Sequence, residues 1–378
     1  MKKYLNSITK IAVLACAALF CSCSGVIFDT IRTEVKLTDA QVSGDVFCIT
    51  RHSGTDGSEY LYTSLGTIKR KDVTKNSTDT GLYGGQWKSV NKPSGLITGI
   101  ISASDSYLYL TSLKIETVED DGENEPKSYS IYYSDDDGET WNTVKLEDGT
   151  DISTLTYTGS IVKVFGTNSP KAANRAAFLN YAGVTYKLEA GKATLITADS
   201  TYVNLGTSSQ SVALLDGVYY FSDNYSMTSN ETSSTDATCI YTGSSDSIKY
   251  LYTGSSDWGS VDPDLGTIYS LSYAQDKILV GTSEGIKNVI LDETKTDASL
   301  RHYIPSNSTG TFSSNAASAL SSYYQVWQTL VLDPSENLEE SDLYASMDFE
   351  DSSSNTSATF QNVGMWAFYP GRASWNRE

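Results

Sequence analysis

Two carboxylates held roughly 5–10 Å apart are enough to hydrolyse a glycosidic bond, and carboxylates are the group this chain has in excess. Its 378 residues carry 46 Asp and Glu against 27 Lys and Arg, a formal net charge of −19. So many acids could supply such a pair in countless ways, and the sequence singles out none. The run Glu119-Asp120-Asp121-Gly122-Glu123-Asn124-Glu125 offers oxygen ligands to calcium. It lacks the alternating ligand spacing of calcium loops and reads as a solvated acidic loop. With only two histidines, His52 and His302, and no metal-type cysteine spacing, zinc sites and His-based nucleophilic triads are nearly excluded. No metal and no cofactor are expected. The tyrosine pairs at 132–133, 219–220 and 323–324 offer stacking platforms for sugars or hot spots for a protein partner. Alternate strand residues face opposite ways, so one of each pair is expected in a core.

The charge balance constrains partners. An acidic surface repels phosphate backbones and anionic headgroups, so nucleic acid is not expected and partners should be neutral or basic. A monomer is expected.

The first residues carry an address. Lys2, Lys3 and Lys10 precede an apolar run over 11–20, and three cysteines follow or interrupt it at 16, 21 and 23. A basic start and a short apolar core describe a secretory signal, too short to span a membrane. Only Cys23, preceded by Ser22, has a small residue where cleavage needs one and a long enough apolar region before it. The stretch resembles a bacterial lipoprotein signal cut before Cys23, with a plain secretory signal as the alternative. The resemblance implies acylation of Cys23 and a membrane anchor at the cell envelope, with the outer membrane favoured because Ser24, not Asp, follows. Removing 1–22 takes away three lysines and no acid. The expected organisation is a signal over 1–22, a lipid-anchored linker with a possible closing strand over 23–43, and one domain over 44–378. Cys48 and Cys239, the other cysteines of the mature chain, are expected unpaired as small buried hydrophobes.

The elements beyond residue 30 are strands. Residues 31–37 alternate with period two, long amphipathic helical patterns are absent, and short aromatic or β-branched runs are punctuated by Gly, Asp, Asn and Ser. Laid out as four-stranded units, the chain gives six, starting near 46, 96, 153, 212, 268 and 326. Trp87, Trp141 and Trp375 fall at the fourth strands of the first, second and last units. Six units are long against the roughly 40–50 residues usual for a propeller blade. The surplus is assigned to polar insertions at 116–127, 224–236 and 348–356. Residues 192–205 fit no unit, so seven units remain the alternative. The fold class is all-β, a β-propeller of four-stranded antiparallel blades.

One turn fits a known pattern at every fixed position. Ser134-Asp135-Asp136-Asp137-Gly138-Glu139-Thr140-Trp141 matches Ser-x-Asp-x-Gly-x-Thr-Trp between two strand-like runs. Asp136 can accept backbone N–H groups, Gly138 can take positive φ, Ser134 and Thr140 can tie the strand ends, and Trp141 can enter the next strand. The turn resembles the Asp-box, or BNR repeat, of sialidase-type β-propellers. The resemblance implies a structural role for Ser134, Asp136, Gly138, Thr140 and Trp141. It does not carry sialidase activity over. The Phe/Tyr-Arg-Ile-Pro motif of that family is missing, and Arg51, in Thr50-Arg51-His52, has no Ile-Pro behind it. The C-terminal Gly364-Met365-Trp366-Ala367-Phe368-Tyr369 and Trp375-Asn376-Arg377-Glu378 resemble the ends of uncharacterised bacterial lipoproteins. The function expected is a non-catalytic, lipid-anchored binding or scaffold module for a protein or glycan at the envelope. The alternatives are a glycoside hydrolase on the same propeller and an envelope assembly factor. No catalytic or ligand-binding residue is assigned.

Overall fold

The computed structural model describes residues 41–378 apart from 75–85, 105, 118–123, 151, 153–154, 157–161, 182, 198–200, 205–207, 293–303, 311–323, 349–362 and 371–374. The expected signal, Cys23, His302, Tyr323 and most of the acidic run at 119–125 lie outside the described residues.

Within them the chain is all-β save one 3-10 turn at Ala172–Asn174. The strands form seven sheets in sequence order. Their innermost strands are Cys48–Ser53, Leu96–Ser102, Val164–Gly166, Ser211–Leu215, Met227–Ser229, Ile268–Tyr273 and Gln325–Val331. Sheets one, five, six and seven are four-stranded antiparallel meanders. Sheets two and three add further short strands, and sheet four has three.

The core is divided among the gaps between sheets. In sheet one, Leu61 packs with Tyr344 and Met365 of sheet seven, whereas its neighbour Tyr62 packs with Ile100 and Leu108 of sheet two. Successive residues serve opposite faces, as a period-two element must. Burial on both faces is also why these strands read as aromatic and β-branched runs. Similar apolar clusters fill the gaps between two and three, three and four, four and five, five and six, and six and seven. Every sheet therefore has an apolar contact on both sides, and the seven close into a ring. The molecule is a β-propeller.

The ring is sealed at sheets seven and one. The N–H of Val42 donates to the C=O of Glu378 at 3.0 Å, and the N–H of Met365 donates to the C=O of Val42 at 2.9 Å. Ser43 bridges Gly364. Residues 376–378 and 42–44 thus run head to tail along one edge of the strand Gly364–Phe368. Beneath them Lys71, 1% exposed, donates to the Tyr369 hydroxyl at 2.6 Å and to the Glu378 carboxylate. Trp87 Nε1 donates to the same carboxylate at 2.7 Å.

Several expected units are redrawn. The single unit expected from 212 to 252 is two sheets, because Met227–Ser229 inside the supposed polar insertion is the inner strand of sheet five. Residues 192–205 are not spare. Lys192–Leu195 is a strand of sheet three, reached through a tight turn with Ala190 at φ 48° and Gly191 at φ 75°, and Tyr202–Asn204 joins sheet four. Leu155–Thr156, expected to open the third unit, pairs within sheet two. The count of sheets among the described residues is seven, the alternative to the six laid out from sequence. Trp87, Trp141 and Trp375 each stand immediately before the outer strands Lys88–Val90, Asn142–Thr143 and Asn376–Arg377.

Candidate functional site

All seven inner strands line an axial channel of about 150 Å³. Where those strands begin, the channel widens into a cavity of about 440 Å³. The wide end is mostly apolar, and three aromatic rings form one side of it. Tyr269 and Trp327 stack with centroids 4.0 Å apart and planes 19° from parallel. Tyr225 meets Trp327 edge-on at 6.2 Å and is 49% exposed.

The backbone explains how these side chains come to face the mouth. In sheet six the register steps from Ile268 opposite Thr282 to Ser270 opposite Gly281, leaving Tyr269 as the extra residue of a bulge. In sheet seven it steps from Val326 opposite Met347 to Gln328 opposite Ser346, leaving Trp327. In sheet two it steps from Ile97 opposite Ser112 to Gly99 opposite Thr111, leaving Thr98. A bulge re-aims the side chain it carries, and all three extra residues line the mouth cavity. Gly281, opposite the first bulge, has no room for a Cβ, which would lie 2.4 Å from the Val326 carbonyl oxygen.

The polar groups are few and divided by position. Lys163, just before the inner strand of sheet three, lines both the channel and the mouth. Burial pushes its amine below the ordinary lysine value. Among the described residues it has no hydrogen bond or ion pair. Thr98, 6% exposed, has a hydroxyl with no hydrogen-bond partner. Asp45 and Asp348 line the mouth from the side of sheets one and seven. Among the described residues no Asp or Glu lines the channel below. Deeper along it, Arg51 donates from Nη1 to the carbonyl of Asn168 at 2.9 Å and from Nη2 to the carbonyl of Val331. Burial, reinforced by Arg175, lowers the Arg51 pKa to about 9.

The residues singled out from sequence lie elsewhere. In the Ser134–Trp141 turn, Asp136 accepts from the Thr140 N–H at 2.8 Å, the Thr140 hydroxyl at 2.6 Å and the Ser134 hydroxyl at 2.7 Å. The N–H of Gly138 donates to Ser134 Oγ at 2.9 Å, with Gly138 at φ 86°. Trp141 is half-buried and donates from Nε1 to the Asn91 carbonyl at 2.9 Å. None of these lines the mouth or the channel. Tyr132, Tyr133, Tyr219 and Tyr220 are half-buried in the sheets, Tyr324 is 2% exposed, and none of the five lines the mouth. Cys48 and Cys239 are both free. Cys239 is fully buried, as expected. Cys48 is only half-buried and lines the channel, where its sulfur accepts from the Ile100 N–H at 3.2 Å.

Two histidines do suffice for a triad-like chain of bonds: Ser102 Oγ lies 2.9 Å from His52 Nδ1, and Asp137 Oδ1 lies 2.8 Å from His52 Nε2. Ser102 is 1% exposed, His52 0%, and neither lines the channel or the mouth. The buried group joins sheet one to sheet two across the gap between them.

No family model matches the chain, and no curated protein matches it. Solved structures resemble it loosely. A protein of unknown function from Dyadobacter fermentans is 10% identical over 82% of this chain and 94% of that one, with a TM-score of 0.37. YCF48 from Cyanidioschyzon merolae is 11% identical over 90% and 85%, with a TM-score of 0.36. The PQQ-bound aldose sugar dehydrogenase from Streptomyces coelicolor is 11% identical over 87% and 93%, also at 0.36.

Proposed function

We propose that this propeller is a binding module, held at the bacterial envelope by lipid on Cys23, that takes a glycan into its mouth cavity. The observation that carries the reading is the convergence of three bulged residues, Thr98, Tyr269 and Trp327, on one concave apolar site. Aromatic faces with a few placed polar groups suit a ring that is flat on one side and hydroxylated at its edge. A concave cavity of about 440 Å³ accommodates such a ring better than a flat protein surface. A glycan array with the wild type and Trp327→Ala tests this. Binding that Trp327→Ala abolishes, with an unchanged melting temperature, supports the mouth as the site. Binding that survives the substitution rejects it.

Asp45 and Asp348 on the same cavity favour one second reading, glycoside hydrolysis by two carboxylates. A fluorogenic glycosidase panel separates the two: turnover lost in both Asp45→Asn and Asp348→Asn speaks for the enzyme.

A further inference from the structure

The polar groups of the mouth are arranged by sign. Lys163 and Thr98 come from sheets three and two, while Asp45 and Asp348 come from sheets one and seven. Tyr225, Tyr269 and Trp327 precede or belong to the inner strands of sheets five, six and seven. A ligand seated there meets a cation and a hydroxyl on one side, carboxylates on another and ring faces on a third.

The first of these sides is incomplete in the protein alone. An ammonium drawn out of bulk water is costly unless it is paired, and no described residue pairs with Lys163. An unbonded buried hydroxyl is costly too, and that of Thr98 has no partner. Two unsatisfied donors on adjacent sheets line one cavity in a chain of net charge −19. Two other buried cations do meet acids: Lys71 meets Glu378 and the Tyr369 hydroxyl, and Arg175 meets Glu59 and the Ser169 carbonyl, whereas Arg51 is held by backbone carbonyls.

We infer that the mouth cavity selects a hydroxylated ring bearing a carboxylate, a sugar acid, with the carboxylate on Lys163 and the Thr98 hydroxyl and the ring against Trp327. The inference rests on the mouth being the glycan site and adds the charge of the ligand. A carboxylate supplies what both donors lack through charge-assisted bonds. Ring hydroxyls supply donors to Asp45 and Asp348, which a plain aromatic acid lacks. The acids near residues 45 and 348 repel a second negative charge, so the ligand is a monoanion at this subsite.

Calorimetric titration of the full folded domain with glucuronate, glucose and benzoate tests the inference, using the wild type, Lys163→Met, Lys163→Arg and Trp327→Ala. Glucuronate should bind about tenfold or more tightly than glucose, the scale of one charge-assisted hydrogen bond, and more tightly than benzoate. Lys163→Met should remove the preference for glucuronate over glucose, and Lys163→Arg should keep most of it. Its melting temperature should not fall, because the replaced ammonium has no partner to lose. Equal affinity for glucose and glucuronate, a preference unchanged in Lys163→Met, or no binding of any probe overturns the inference. If Trp327→Ala abolishes glucose binding while Lys163→Met alters nothing, the glycan reading stands and the sugar-acid inference falls. Benzoate binding as tightly as glucuronate assigns the site to aromatic acids and also overturns it.

Discussion

His52 of sheet one and Asp137 of sheet two are joined at 2.8 Å, Nε2 to Oδ1, across the gap between the two sheets. Asp137 occupies a variable position of the turn motif and takes φ 57° to get there. Its carboxylate also accepts from the Thr55 hydroxyl at 2.8 Å, and its carbonyl accepts from Tyr62 at 2.7 Å. One turn thus stitches two sheets through a residue the motif leaves free.

This pair predicts a pH dependence. Burial holds the His52 pKa below its ordinary 6.5, more than the Asp137 bond and charge raise it. The unfolded chain, with a histidine near 6.5, therefore takes up a proton before the folded one does. The stability that neutral His52 contributes is present above about pH 6.5 and is lost as the pH falls through and below it. Melting temperatures measured from pH 7.5 to 5 should fall more steeply for the wild type than for His52→Gln. Parallel curves would show that His52 is not the group responsible.

The seam predicts a strong coupling. Glu378→Ala leaves the Lys71 ammonium buried with only the Tyr369 hydroxyl and surrounding rings, and should cost about 3–5 kcal/mol. Lys71→Met with Glu378→Gln should be milder than Glu378→Ala alone, because no uncompensated charge remains. Denaturant unfolding of the single and double variants gives the coupling directly, and additive losses would contradict it.

The motif turn predicts a graded loss. Asp136→Ala removes the acceptor of two Thr140 bonds and one Ser134 bond, and should cost about 1–2 kcal/mol. Trp141→Ala should cost about 2–3 kcal/mol, less than a fully buried tryptophan because the ring is half-buried. Trp87→Ala, 5% exposed in the reference state, should cost about 3–5 kcal/mol. All three should leave binding at the mouth unchanged below their melting temperatures. A loss of ligand in Asp136→Ala without a loss of stability would place the turn in the binding site.

The proposed anchor predicts a change of fraction. Cys23→Ser should move the protein from the detergent phase to the aqueous phase of a two-phase extraction, since acyl chains supply the membrane affinity. A variant still in the detergent phase would point to some other attachment.

What could be read from sequence followed local chemistry. The tryptophans at 87, 141 and 375 mark outer strands because a large aromatic before a polar strand end is a local signal. The turn at 134–141 was legible because its bonds are all within the turn. Met227–Ser229 was not, since three residues without a β-branched run inside a Ser/Thr/Asn tract look like loop. Nor was the turn at Ala190-Gly191, where alanine takes a φ that sequence rules reserve for glycine or asparagine. The mouth was hidden for a different reason. A bulge depends on the register between two strands, and Thr98, Tyr269 and Trp327 look like ordinary alternating strand residues until that register is known. Lys163 and Thr98 become notable only when their surroundings show no partner.

The head-to-tail meeting of residues 376–378 with 42–44 bears on the order of assembly. Contacts between residues far apart in sequence form late and slowly, because the loop they close must be ordered first. Sheets two to six use only neighbouring stretches and can form as the chain leaves the ribosome. Sheet seven has no complete edge until its last residues arrive, and until then the edge of Gly364–Phe368 and the apolar face of sheet one, with Val46, Ile49 and Leu61, stay unpaired. A nascent chain stalled a few residues short of Glu378 is therefore an open arc with one bare strand edge, the form most exposed to pairing with a second copy.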